Sequence, residues 1–289
     1  MRFHYGESMT DINYYVPLAK KAEELGYSGF TIPDSLIYPK KSETLYSYTE
    51  DGGREFLENK AFVEAFILAT AVGVTTTSLE LTTNVVKLPV RPPLYSAKLC
   101  ASIAALIGDR FNFGVGLSVW PEDYAAMGVD YKDRGKRFDE CIEIVRGLCA
   151  GGYYEFHGKF YDLAPVKLNP VPGKPLPILI GGHSDAALKR AARNDGFLAT
   201  GMAPEELAVA VGKINEYRKD SAYQSPNFRI FATTWGDNSR DYVLQMQDAG
   251  VTDLVPVFRN SYAVEMDSES LEVKFGKMER FAEIVMSTF

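Results

Sequence analysis

An α/β fold of eight strand–helix units, a (β/α)8 barrel of the TIM type, is what the sequence predicts, on three observations. Short apolar stretches alternate with helical ones from one end of the chain to the other, the order that builds a parallel sheet covered by helices. No repeat period or low-complexity linker divides the 289 residues, so residues 1–289 are read as a single domain. The long polar excursions follow strands, where a barrel carries its functional insertions, at the C-terminal face.

Taken in order, residues 2–6 form the first strand, and Thr10 and Asp11 can cap a helix over 14–25 that Gly26 ends. Residues 29–32 are the second strand, followed by Pro33, Asp34 and Ser35. The tyrosine-rich stretch 38–59 is too long for an ordinary connection and reads as a lid-like loop. A helix covers 61–72, and the β-branched run 79–86 is the third strand. Pro93 opens a helix to about Ile107, a position that tolerates a missing N–H. Residues 111–116 are the fourth strand, a longer connection follows, and 134–149 are helical. Residues 153–163 read as a hairpin turning at His157 and Gly158. The fifth strand, 177–180, leads through Gly181 and Gly182 into a helix from Ser184 to about Asn194, with Ser184 or Asp185 as its cap. Strands at 196–200, 228–234 and 253–257 alternate with helices at 204–217, 240–249 and 269–286.

Composition narrows the partners. The chain is 46% hydrophobic and 24% charged, with a net charge of −7, which argues against nucleic acid or an anionic membrane. No apolar run approaches the ~18 residues of a membrane span. The first residues lack a signal-peptide core and read directly as a strand, so a cytoplasmic protein is expected. Cys100, Cys141 and Cys149 fall in apolar helical patterns and read as buried free thiols.

In a barrel the strand ends carry the ligand. That rule selects Gly6, Pro33 to Ser35, Asn84 to Lys87, Gly116, Leu117 and Ser118, Gly181 to Ser184, Thr200 to Met202, Trp235, Gly236, Phe258 and Arg259. Zinc pairs, a nucleophile elbow and a Walker loop are all absent from the sequence, so no metal site is expected. Gly181 and Gly182 permit left-handed angles, and the helix behind them offers free N–H groups and a positive dipole end to an anion, typically a phosphate. Alone, the pair is equally a plain turn; at the fifth strand's end of a barrel it lies on the ligand face. A barrel with a phosphate-type turn and few catalytic side chains fits an enzyme whose cofactor carries the hard chemistry.

Several segments together resemble the bacterial luciferase-like superfamily, which includes flavin-dependent monooxygenases and deazaflavin (coenzyme F420)-dependent oxidoreductases. They are Leu81 to Pro89 with Arg91, Pro92 and Pro93; Asp109 to Gly116; Glu122, Asp123 and Tyr124 with Met127 and Gly128; Arg134 to Arg146; the hairpin 153–161; and Leu179 to Ala192 with Asp195, Gly196 and Phe197. The resemblance covers 79–200 well and the two ends loosely. It implies a non-proline cis bond at Asn84–Val85 backing the central ring, Gly114 and Gly116 letting that ring approach, with Leu117 beside it, and Gly181, Gly182, His183 and Ser184 holding the cofactor phosphate. Ser35 joins the cofactor-binding set. It stands after Asp34, where many relatives carry histidine, and Val119 stands where relatives that oxidise sugar phosphates carry glutamate.

Asp34, Glu122, Asp123 and His183 are the acid–base candidates, with Glu122 and Asp34 expected to transfer the proton and Asp123 expected to be solvated. Arg110, Arg134 and Arg137 read as structural ion-pair partners, with the cofactor's anionic tail as their alternative role. Trp120, Trp235, Tyr5 and Phe258 are candidates to line an apolar substrate pocket. The expected protein is a coenzyme F420-dependent oxidoreductase acting on a small molecule as a homodimer. Its alternatives are an FMN-dependent monooxygenase and a flavin-binding protein without turnover.

Overall fold

The computed structural model describes residues 1–46, 49, 51–234 and 236–289. The first half runs β1 (Arg2–Gly6), α1 (Tyr15–Glu24), β2 (Gly29–Ile32), α2 (Ala65–Thr75), β3 (Glu80–Thr83), β4 (Val86–Lys87), α3 (Pro93–Ile107) and β5 (Phe111–Gly116). The middle holds α4 (Pro121–Ala126), α5 (Arg134–Cys149) and a hairpin, β6 (Tyr154–His157) and β7 (Asp162–Val166). The remainder is β8 (Ile178–Gly181), α6 (Asp185–Ala192), β9 (Gly196–Ala199), α7 (Pro204–Lys219), β10 (Arg229–Thr233), α8 (Arg240–Asp248), β11 (Asp253–Val255) and α9 (Leu271–Ile284).

Eight strands pair in the order β3, β2, β1, β11, β10, β9, β8, β5, and β3 pairs with β5 to close the barrel. All of these pairings are parallel, and among the described residues only the hairpin β6–β7 is antiparallel. The barrel predicted from alternation is therefore present. Leu179, Leu198, Phe231 and Val255 fill its interior, and a larger apolar layer lies between the strands and the helices. Gly114 makes closure possible. A Cβ there would lie 1.8 Å from the Thr83 carbonyl oxygen and 2.7 Å from Leu198 Cδ1.

Some elements depart from the sequence reading. The third strand does not run unbroken over 79–86. It stops at Thr83, passes through the cis bond Asn84–Val85, and resumes as β4, which pairs Val86 with Val115 and Lys87 with Gly116. Helix α2 starts at Ala65 rather than 61, because the Glu64 carboxylate accepts from the N–H groups of Phe66 and Ile67 and fixes the N-terminus there. The longer connection after the fourth strand contains a short helix, α4; Pro121 opens it, with Glu122 and Asp123 in its first turn. Asp11 caps a short 3-10 turn before α1, and Thr10 does not.

Polar residues near the N-terminal ends of the strands tie the barrel together away from its mouth. His4 Nε2 lies 2.7 Å from Asp253 Oδ1. Arg229 bridges Asp253 at 2.5 Å and Glu80 at 2.7 Å. Burial pushes the His4 imidazole below its ordinary value even though Asp253 pulls it up. Arg110 donates to the carbonyls of Gly73, Thr76, Leu79 and Ile107, which fixes the ends of α2 and α3, so its role is structural and pairs with carbonyls rather than with a carboxylate. The three cysteines are buried and free, and burial raises the Cys141 and Cys149 thiols to about 12. Among the described residues no helix is long and apolar enough to cross a membrane.

Candidate functional site

A cavity of about 1480 Å³ opens at the C-terminal ends of the strands. Its floor is set by one side chain. The cis bond turns Val85 between β5 and β8, where a Cβ on Gly116 would lie 2.8 Å from Val85 Cγ2 and one on Gly181 2.8 Å from Cγ1. Asn84, Val85, Gly116 and Leu117 all line the cavity. Gly114 does not: its missing side chain makes room for β3 and Leu198, so the expectation that it admits a ligand ring is corrected to a packing role.

One end of the cavity is formed by the turn from β8 into α6. Gly181, Gly182, His183 and Ser184 line it. Gly182 has φ +122°, a region that side-chain-bearing residues rarely adopt. Ser184 is the N-cap of α6, its Oγ accepting from the Ala187 N–H. The N–H groups ahead of it in the first turn have no acceptor within the helix, and Ala186 lines the cavity. The acidic residue of this turn, Asp185, is engaged by Lys189 at 2.9 Å and by the Tyr217 hydroxyl at 2.5 Å. Arg190 ties α6 to α5 through Asp139 and the Gly135 carbonyl. At the start of α5, Arg134 lines the same cavity with its guanidinium 3.9 Å over the Tyr131 ring, and it makes no ion pair with a described carboxylate. Arg137 instead lies over Phe160.

The carboxylates picked from sequence are placed otherwise than expected. Asp34 lines the cavity, as does Ser35, but both its oxygens are committed. Arg91 grips them at 2.6 and 3.0 Å, and the Lys87 N–H donates at 3.1 Å. That arrangement holds β2 to the segment after β4 and leaves Asp34 poorly placed to exchange a proton. Glu122 does not line the cavity. Asp123 is not solvated: its side chain is 1% exposed, and Oδ2 takes the Ser118 hydroxyl at 2.5 Å and Lys87 Nζ at 2.9 Å. Lys87 was among the strand-end residues selected from sequence, but its side chain was given no role there. Its Nζ lies 4.9 Å from the centroid of Trp120.

On the opposite wall, Arg259 and Lys274 both hold the buried Glu7, and Lys274 also reaches Asp267 at 2.7 Å. Burial alone would raise the Asp267 carboxyl; hydrogen bonds from Lys274, Thr10 and the Glu269 N–H, with the charge of Arg259, together outweigh it and bring it down to about 2. Tyr5 and Phe258 stack with centroids 6.1 Å apart and line the cavity, as does Trp120. Trp235 lies outside the described residues. The described residues contain no His, Cys, Asp and Glu group that could hold a metal ion.

A closed parallel barrel with a cis bond at the floor of its mouth and a Gly-Gly turn into a capped helix after its fifth barrel strand defines a class, and sequence comparison agrees with it. The profile of the luciferase-like monooxygenase family matches residues 2–258. The chain belongs to that family, whose members are flavin- or deazaflavin-dependent oxidoreductases. An uncharacterized Mycobacterium tuberculosis protein is 50% identical over 287 residues, 99% of each chain. The F420-dependent glucose-6-phosphate dehydrogenase of Mycolicibacterium gilvum is 30% identical over 198 residues, 66% of this chain and 54% of that protein. Among solved structures, the coenzyme F420-dependent tetrahydromethanopterin reductase of Methanopyrus kandleri superposes with a TM-score of 0.75 at 16% identity, covering 100% of this chain and 99% of that one, which shows the shared fold.

Proposed function

We propose that the chain is a coenzyme F420-dependent oxidoreductase that moves a hydride between the deazaflavin and a small organic substrate. The observation that carries this is the anion seat at Gly181 to Ser184, extended by Arg134, a cavity-lining cation without an ion-pair partner among the described residues. One seat suits a phosphate; the added cation suits a longer anionic tail. The residues present fit such a group. Gly182 has the positive φ that brings backbone N–H groups forward, and Val85, Gly116 and Gly181 give a small-residue floor on which a flat ring has room. The relative from Mycolicibacterium gilvum, named as F420-dependent, supports the same choice.

When bound, the deazaflavin supplies the hydride donor or acceptor. The chain orients both reactants. Gly181 to Ser184 and Arg134 hold the anionic end, and Asn84, Val85, Gly116 and Leu117 support the ring. The loops after β2 and β11 cover the substrate. Asp34 is bound up with Arg91 and Glu122 stands off the cavity, so proton transfer is not assigned to either.

Separate titrations with the deazaflavin and with flavin mononucleotide test the reading. Deazaflavin binding is expected, with Gly182→Asp abolishing it through crowding and charge while the far-UV circular dichroism stays native. Tight binding of flavin mononucleotide without deazaflavin binding would favour the FMN-dependent monooxygenase that the family's name describes. Binding of neither would favour a protein without turnover.

A homodimer is part of the same proposal. Helix α2 carries no charged residue, yet Ile67 and Val74 remain 65% and 58% exposed. Tyr95 and Leu106 on the adjoining α3 are 60% and 64% exposed. A helix apolar all round calls for cover on its outer face.

A further inference from the structure

The wall beyond the floor carries charge that hydride transfer does not require. Lys87 follows two residues after Val85 and lines the cavity. Asp123 takes one of its ammonium donors. An ammonium has three, and Lys87 Nζ has no further hydrogen-bond partner among the described residues. Arg54 stands 5.4 Å from the same Trp120 ring, with its side chain buried, no carboxylate partner among the described residues, and Nη1 without a hydrogen bond. Two cations therefore flank one indole; Lys87 lines the cavity and Arg54 does not, and among the described residues Asp123 is the one carboxylate paired with either. The cavity-lining acids of the neighbouring loop are turned to its backbone: Asp51 accepts from the Gly53 N–H and Glu55 from the Arg54 N–H. A desolvated surplus cation is unfavourable until an anion offsets it. The adjoining wall is aromatic, with Phe56, Tyr46 and Tyr262 around Trp120.

We propose that Lys87, seated against Trp120, binds a carboxylate of the substrate whose apolar body packs on Trp120 and Phe56. The substrate class is an organic acid with an aromatic or branched apolar part, which narrows the apolar pocket expected from sequence. The inference rests on the proposed function in taking this cavity for the substrate's.

Calorimetric titration with benzoate and with its neutral near-isostere benzamide tests it, on the wild type, Lys87→Met and Lys87→Arg, each also titrated with the deazaflavin. The wild type is expected to prefer benzoate by about tenfold or more, the size of one charge-assisted hydrogen bond. Lys87→Met should lose that preference without changing benzamide affinity, and Lys87→Arg should restore it. Equal affinities in the wild type, a preference that survives Lys87→Met, or no benzoate binding at all would overturn the proposal. A lysine-dependent benzoate preference in a protein that fails to bind the deazaflavin would support the carboxylate site and overturn the cofactor assignment alone.

Discussion

Alanine at Gly114 and alanine at Gly116 should behave as opposites, although both glycines sit on the same strand two residues apart. At Gly114 the new methyl would meet a backbone carbonyl oxygen at 1.8 Å and Leu198 Cδ1 at 2.7 Å. A side chain can swing aside; a carbonyl that belongs to the neighbouring strand of a closed barrel cannot. Overpacking by one carbon costs about 1–3 kcal/mol, and a backbone obstacle places Gly114→Ala at the upper end. For 289 residues at about 2.1 cal/mol/K each, ~3 kcal/mol lowers the melting temperature by ~5 °C. At Gly116 the obstacle is Val85 Cγ2 at 2.8 Å, the end of a side chain that faces the cavity. Gly116→Ala should melt close to the wild type but weaken cofactor binding. Gly212→Ala, in α7 with nothing within 4 Å of its Cβ, is the control and should be stabilising by about 0.5–1 kcal/mol. Calorimetric melting and cofactor titration read both quantities. A Gly114→Ala protein that melts with the wild type would refute the packing argument, and unchanged cofactor affinity in Gly116→Ala would refute the floor.

Three further outcomes are expected. Arg91→Met leaves the 1%-exposed Asp34 carboxylate without its cation and should destabilise by about 3–5 kcal/mol in urea unfolding, largely recovered in the double variant with Asp34→Asn; an additive double variant would contradict this. The His4 imidazole is held below 6.5 in the fold, so the unfolded chain binds more protons. His4's contribution is therefore full above about pH 6.5 and falls as pH drops below it, by up to ~1.4 kcal/mol per pH unit. His4→Gln should flatten stability between pH 6.5 and 5, and an unchanged slope would count against it. Ile67→Lys with Val74→Lys should convert a dimer to a monomer in sedimentation velocity, whereas a wild type that sediments as a monomer at every concentration would end the dimer proposal.

The barrel was legible because its strands are locally consistent. Arg2–Gly6, Gly29–Ile32, Phe111–Gly116 and Arg134–Cys149 occupy the residues that alternation, caps and punctuation assigned them. The break at Asn84 leaves no mark in hydrophobic periodicity, and only family resemblance pointed to it. Asp123 was misread because an acidic residue in a first helical turn is ordinarily solvated, and nothing local announces that Lys87 arrives from another strand to bury it. Asp34 was misjudged for the same reason, its partner Arg91 lying 57 residues on. The two glycines of β5 differ only in depth along the strand, a distinction that exists once the strand is paired.

Val85 also has a bearing on how this site can change over time. Its two methyl groups lie where side chains on Gly116 and Gly181 would go, so three segments far apart in sequence share one small volume. Substitutions at these positions are coupled rather than independent. Alanine at Gly116 or Gly181 pushes the Val85 methyls out of place, at a cost to binding rather than to folding, and becomes neutral once Val85 has shrunk, whereas the reverse order passes through an intermediate with a disturbed floor. The accessible histories of this floor therefore begin at Val85, and homologues that differ there should differ at the two glycines as well.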